Sequence, residues 1–254
     1  EQSISKAAAA LFITQPSLSR QMQNLEKEIG KPLFIRGSKN ITLTETGRLL
    51  KKRAEEILAL YDKTKSDIAA QSHRISGEIY IGSGESYIIE EIAKVAKKLH
   101  TEHPDIIFHI FSGDTQDVAE RLDKGLIDFG VLVEPADVSK YEYLRLKQKD
   151  TWGVLMRKDS PLAKKDFIMP EDLYDKPLIR SKHAMKATEL SDWFQCNMEQ
   201  LNIVATYNLI YNASILVREG LGYAVGLDKI INTTGESELC FRPLKPAFQS
   251  SLLI

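Results

Sequence analysis

The apolar side chains Leu18, Met22, Leu25 and Ile29 recur at spacings of four, three and four, which is one face of a helix. Thr14 suits its N-cap, and Pro16 suits its first turn, where a missing N–H does no harm. The opposite face carries Gln15, Ser17, Ser19, Arg20 and Asn24, side chains that can reach base edges and phosphates. Before the turn, residues 6–11 read Lys-Ala-Ala-Ala-Ala-Leu, a helix small enough on one side for a second to cross it closely. That pairing is a helix-turn-helix. After Gly30, residues 31–35 and 41–43 read as two short strands around a basic turn. Arg36 and Lys39 would tip this wing, over phosphates or in a narrow minor groove.

Thr44 opens the next helix, expected to run to about residue 72. Leu50, Ala54, Ile57, Tyr61, Thr64 and Ile68 alternate at four and three along it, a heptad seam. Two copies packed together would bury such a seam; packing on the chain's own body is the alternative. Arg48, Lys51, Lys52 and Arg53 cluster at its start, either touching backbone phosphates or forming a solvated face. Residues 72–77 are polar, close on a glycine and read as a hinge.

From residue 78 strands and helices alternate. Strands are expected at 79–82, 106–111 and 127–133, with helices at 88–103 and 116–124 between them. This β-α-β-α-β run implies a parallel sheet with helical crossovers. Sites in such sheets lie beyond the strands' carboxyl ends, here loops 83–86, 112–115 and 133–135. A second α/β segment follows, with strands at 152–157, 177–180, 203–207 and after 222, and helices at 189–201 and 213–219.

Charge sharpens this division. Residues 1–53 carry ten Lys/Arg against four Asp/Glu, a net +6, while the rest carry 24 against 31, a net −7. A basic head on an acidic body suits nucleic-acid contact at one end, and the head lacks the long Trp- or Phe-bearing amphipathic face of a membrane binder. No apolar run is long enough to span a bilayer. Cys196 and Cys240, far apart, fit free thiols in a reducing cytoplasm, with a redox-switch disulfide as the alternative. His100 and His103 lack the partners that would complete a metal site. There is no G-x-S-x-G elbow and no phosphate loop with its lysine. Besides a regulator, two classes remain to be weighed: a solute-binding module without DNA binding, which leaves the basic head and seam unexplained, and an enzyme.

The pattern AA-x-x-L-x-x-T-QPSLSRQ-x-x-x-LE-x-x-IG-x-PLF-x-R followed by LT-x-x-G spans Ala7 to Gly47 and resembles the DNA-binding domain of LysR-type transcriptional regulators. The stretch REGLGYAV, 218–225, is similar to a glycine turn of the same family. The resemblance implies an α/β chain in three parts: a winged helix-turn-helix at 1–44, a linker and dimerisation helix at 45–72, and, after a hinge at 73–77, an effector domain at 78–254. That domain would be a type 2 periplasmic-binding-like pair of Rossmann-like subdomains, I at about 78–148 and 241–254, II at about 149–240. Crossover strands are expected near 145–150 and 238–243. The family opens with a further helix, so the chain is expected to start late, and from its apolar last residues it is expected to stop early.

The same resemblance implies a cytoplasmic bacterial protein without cofactor, a homodimer pairing through the linker and commonly a homotetramer. Its partners would be double-stranded DNA, a small-molecule effector and, as a further candidate, RNA polymerase. Carried over to the cleft are Ser83, Glu85 and Ser86 at one helix N-terminus and Ser112 and Gly113 at the next. Val133 would stand at a strand end, Ser181 opposite, and Asn212 before the last helix. Glu85 sits where an anion would otherwise meet free N–H groups, which favours a neutral or amine-bearing effector. Arg180 and Lys182 would favour an acid, so the sign stays open.

Overall fold

The computed structural model describes residues 3–37, 41–69, 75–134, 136–182, 188–196 and 200–254. Lys39 at the expected wing tip and residues 72–74 of the expected hinge lie outside them. The chain divides into two units, Glu1–Lys65 and Ser66–Ile254. The division falls within the third helix, ahead of the expected hinge.

In the first unit, helix α1 (Ile4–Ala10) is followed by α2 (Gln15–Ile29), with Thr14 Oγ1 accepting from Ser17 N as its N-cap. Of the apolar stripe, Leu18 is buried, Met22 and Leu25 are half-buried, and Ile29 is 40% exposed. Strands β1 (Phe34–Arg36) and β2 (Ile41–Leu43) pair antiparallel, Phe34 opposite Leu43. Glu26 ties this wing to α2: its Oε1 accepts from Leu33 N at 2.8 Å and Phe34 N at 3.2 Å. Thr44 ties it to helix α3 (Glu45–Ala69), donating to Pro32 O and accepting from Gly47 N. Gly47 is required there, because a Cβ would stand 2.1 Å from the Leu33 carbonyl oxygen.

The second unit is built on one continuous nine-stranded sheet whose two ends are three-stranded parallel segments. One is β4 (Ile106–Ser112), β3 (Gly77–Ser83) and β5 (Phe129–Val133), crossed by α4 (Ile89–Glu102) and α5 (Thr115–Asp123). Each face of this segment has a small core, Ile81, Val131 and Leu252 on one and Val118, Ile127 and Leu132 on the other. The expected strand at 127–133 begins two residues later.

Strand β6 (Arg145–Arg157) then runs on into the second half as one 13-residue strand. Its first half is the crossover strand expected near 145–150 from the family resemblance; periodicity alone, which starts a strand at 152, misses it, because residues 145–150 alternate no apolar side chains and are held by backbone pairing to β11 (Gln249–Leu253). Its far half pairs with β9 (Tyr223–Leu227) and β10 (Leu239–Pro243). The residues 241–243, expected in subdomain I, thus belong with the second half, and the chain re-enters the first at β11. The same sheet continues from β9 to β7 (Leu178–Ser181) and β8 (Ile203–Tyr207), its second parallel segment.

Helix α6 (Thr188–Phe194) is shorter than the expected 189–201, since Gln195 takes a positive φ of 52°. Helix α7 (Ile210–Arg218) begins three residues before the expected start. Its buried Ile210, Ala213 and Val217 pack on Leu155, Ile179 and Ala224 of the sheet. Burial of each Ile, Leu or Val side chain here is worth about 1.5–3 kcal/mol.

Candidate functional site

The outer face of α2 is open to solvent. Thr14, Gln15, Pro16, Ser17, Arg20 and Asn24 are exposed and Ser19 is half-buried, with Gln15 Nε2 donating to Ser19 Oγ. Buried Leu18 and the Glu26 anchor fix the helix from behind, so the polar face is presented on a rigid element. The backbone of Arg36 closes β1 opposite Ile41. On α3 most of the expected seam is exposed among the described residues: Leu50 is half-buried, Ala54 exposed, and Ile57, Tyr61 and Ile68 are 67, 59 and 64% exposed.

In the second unit a cavity of about 450 Å³ opens at the carboxyl ends of both parallel segments, the position such sheets favour for ligands. Loops after β3, β4 and β5 supply Gly84, Glu85, Gly113, Asp114, Val133 and Glu134. The other half supplies Ser181, Tyr207, Asn208, Ile210 and Leu227, and Trp152, Phe248 and Ser250 form the floor where the chain crosses between segments. Of the expected cleft residues, Glu85, Gly113, Val133 and Ser181 therefore meet here.

The others do not line it. Ser83 and Ser86 are buried: Ser83 Oγ donates to Gly84 O, while Ser86 Oγ accepts from Ile88 N and bonds Asp150. Ser112 ends β4 off the wall, and Asn212, expected before the last helix, is its exposed third residue. Arg180 and Lys182 are also absent from the wall; Arg180 Nε and Nη1 are buried without a hydrogen-bonding partner.

The electrostatics follow from helix ends. Asp114 Oδ1 accepts from Gln116 N and Asp117 N, capping α5. Leu209, the N-cap of α7, gives no side-chain bond; Glu85 Oε2, 125 residues earlier in the chain, accepts from Ile210 N instead. Burial holds the Glu85 carboxyl above its ordinary range, and the Ile210 bond offsets part of that rise. Asp150, 4% exposed beneath the floor, is raised by burial, against the pull of Ser86. Trp152 Nε1 donates to Ser250 Oγ at 2.8 Å, and Tyr207 Oη to Val225 O at 2.7 Å. These floor and wall residues carry no motif; Asp114, with acidic Asp117 three residues on, is the one whose capping pattern was readable. Among the described residues no cluster of His, Cys, Asp and Glu is placed to hold a metal, and no helix is long and apolar enough to cross a membrane.

Comparison with known proteins agrees with both halves. Residues 1–48 match the bacterial regulatory helix-turn-helix protein model, lysR family, and residues 72–254 match the LysR substrate binding domain. The uncharacterized HTH-type transcriptional regulator YvbU of Bacillus subtilis is 30% identical over 225 residues, 88% of this chain and 75% of that protein. The HTH-type transcriptional regulator CysL of the same organism is 30% identical over 76% of this chain and 64% of its own length. The fold is that of the crystal structure of CbnR, a LysR family transcriptional regulator, with a TM-score of 0.74 at 16% identity, over 99% of this chain and 87% of that one. Full-length CbnR complexed with target DNA gives 0.73 at 17% identity, over 99% and 88%. A winged helix-turn-helix, a double α/β unit and these matches together establish that the chain belongs to the LysR family of transcriptional regulators.

Proposed function

We propose that the exposed face of α2 reads operator DNA in the major groove, through Gln15, Ser17, Ser19, Arg20 and Asn24, with Thr14 and Pro16 setting the helix entry. Arg36 and Lys39 of the wing hold phosphates or the minor groove. The exposed apolar side chains of α3, Leu50, Ala54, Ile57, Tyr61 and Ile68, pair two copies, in the cytoplasm, so that two heads meet a two-fold site. LysR regulators bind DNA and an effector and form oligomers; further association to a tetramer and contact with RNA polymerase are part of this reading. An effector in the 450 Å³ cavity changes the angle between the two parallel segments and so the geometry of the heads. The protein acts as a regulator rather than an enzyme.

The observation that supports this most directly is the rigidly backed polar face of α2 on a head of net charge +6. Footprinting of the full-length protein on its own upstream region, with a salt titration, tests it. A protected two-fold region and a steep loss of affinity with salt are expected. Equal affinity for operator and random DNA at moderate salt overturns it.

A further inference from the structure

Two helix N-termini meet at the cavity, those of α5 and α7, and each already holds a carboxylate oxygen of the chain itself. Asp114 caps α5, accepting two N–H groups at 3.0 Å each. Glu85 caps α7 from the opposite segment. The first-turn donors Ile210 N, Gln116 N and Asp117 N, which could otherwise receive an incoming anion, are thus engaged.

The charged side chains on the wall point the same way. Glu85, Asp114, Glu134 and Asp137 are acidic; among the described residues Lys140 is the one basic side chain there, and it is paired to Asp123. Glu134 is paired to Arg145. The wall thus carries four carboxylates against one basic side chain among the described residues. Carboxylates so placed repel an acid and attract a cation.

Glu85 is the best placed of the four. One of its oxygens is fixed on Ile210 N–H, so the group is oriented rather than swinging. It is half-buried at the wall where the two segments face each other. The floor adds aromatic faces, Trp152 and Phe248, with ring centroids 5.6 Å apart, and such faces favour a cation over them. A group bound to Glu85 touches both halves at once, because Glu85 follows β3 while Ile210 opens α7.

We propose that the cleft takes an effector bearing a protonated amino group, with Glu85 as its counter-ion, and discriminates against acids of the same size. This rests on reading the cavity as the effector site. Desolvation of the Glu85 carboxylate fits a group whose counter-ion arrives with the ligand.

The test uses the full-length protein and four sets of probes matched in chain length: linear diamines from three to six carbons, the corresponding amino alcohols, diols and dicarboxylates. Calorimetric titration and thermal shift are read for each. At least one amine is expected to bind, with the dicarboxylate of the same length at least tenfold weaker. Glu85→Gln keeps an oxygen for Ile210 N–H and removes the charge, so it should lose at least tenfold in amine affinity while its melting temperature without ligand stays within a few degrees. The proposal is overturned if no amine in the series binds, if dicarboxylates bind as well as amines, or if Glu85→Gln binds amines unchanged. Operator binding without any probe is measured on the same samples. Its loss would count against the regulator reading, whereas preference for an acid with operator binding intact overturns only the amine assignment.

Discussion

Removing the Glu26 carboxylate should release the wing from α2. In the folded chain its Oε1 accepts from the backbone N–H of Leu33 and of Phe34, at 2.8 and 3.2 Å. A hydrogen bond to a charged acceptor is worth about 1.5–3 kcal/mol net. The two bonds share one oxygen and the side chain is half-buried, so about 2–3 kcal/mol for the pair is the lower, realistic end. Glu26→Ala removes both. Glu26→Gln keeps a neutral acceptor and should cost about 1 kcal/mol. The local readout is amide hydrogen exchange at Leu33 and Phe34. Since about 1.4 kcal/mol is a factor of ten, Glu26→Ala should speed exchange there by roughly 30- to 100-fold and Glu26→Gln by about fivefold. Amides inside α7, in the other unit, serve as the internal reference and should not change. Operator affinity should fall along with wing protection. If Leu33 and Phe34 exchange as slowly in Glu26→Ala as in the parent, the carboxylate does not hold the wing and the reasoning fails.

Arg20→Ala should weaken operator binding by about 1–3 kcal/mol, roughly ten- to a hundredfold, with a much smaller effect on random DNA; equal loss on both, in gel shifts, would make Arg20 a phosphate contact. Gly153→Ala would push a Cβ to within 2.4 Å of the Arg242 carbonyl and 2.2 Å of the Phe241 ring, where β10 lies against β6. It should cost about 1–3 kcal/mol in urea denaturation, and an unchanged midpoint would mean that β10 yields freely. Asp150 has its carboxyl raised by burial, so the folded chain holds that proton more tightly than the unfolded one. Its stabilising contribution is full below the unfolded value of about 3.9 and is lost as pH rises through the folded value. Asp150→Asn should therefore gain on the parent as pH goes from about 3.5 to 7, and a stability difference that stays flat with pH in urea titrations would exclude the effect.

What the amino-acid sequence determined by itself was everything carried by local periodicity and capping. Leu18, Met22 and Leu25 show α2 because a helix face repeats every three to four residues, and Thr14 marks its start because few residue types bond the free N–H groups there. The alternation of β3, α4, β4, α5 and β5 was legible because a parallel strand needs a helical crossover. The polar half of β6 was not legible in periodicity and was expected only through the family resemblance, since residues 145–150 are held by pairing with a strand a hundred residues away. Nor was the early start of α7, whose first N–H is capped by Glu85 rather than by a neighbour in sequence. The cavity wall belongs to this second class. Trp152, Phe248 and Ser250 meet only because the chain crosses twice between the segments, and Ser86 leaves the wall only because Asp150 and Ile88 engage it below. Contacts between distant segments depend on how strands pair in space, and a local pattern of residues holds no record of that pairing.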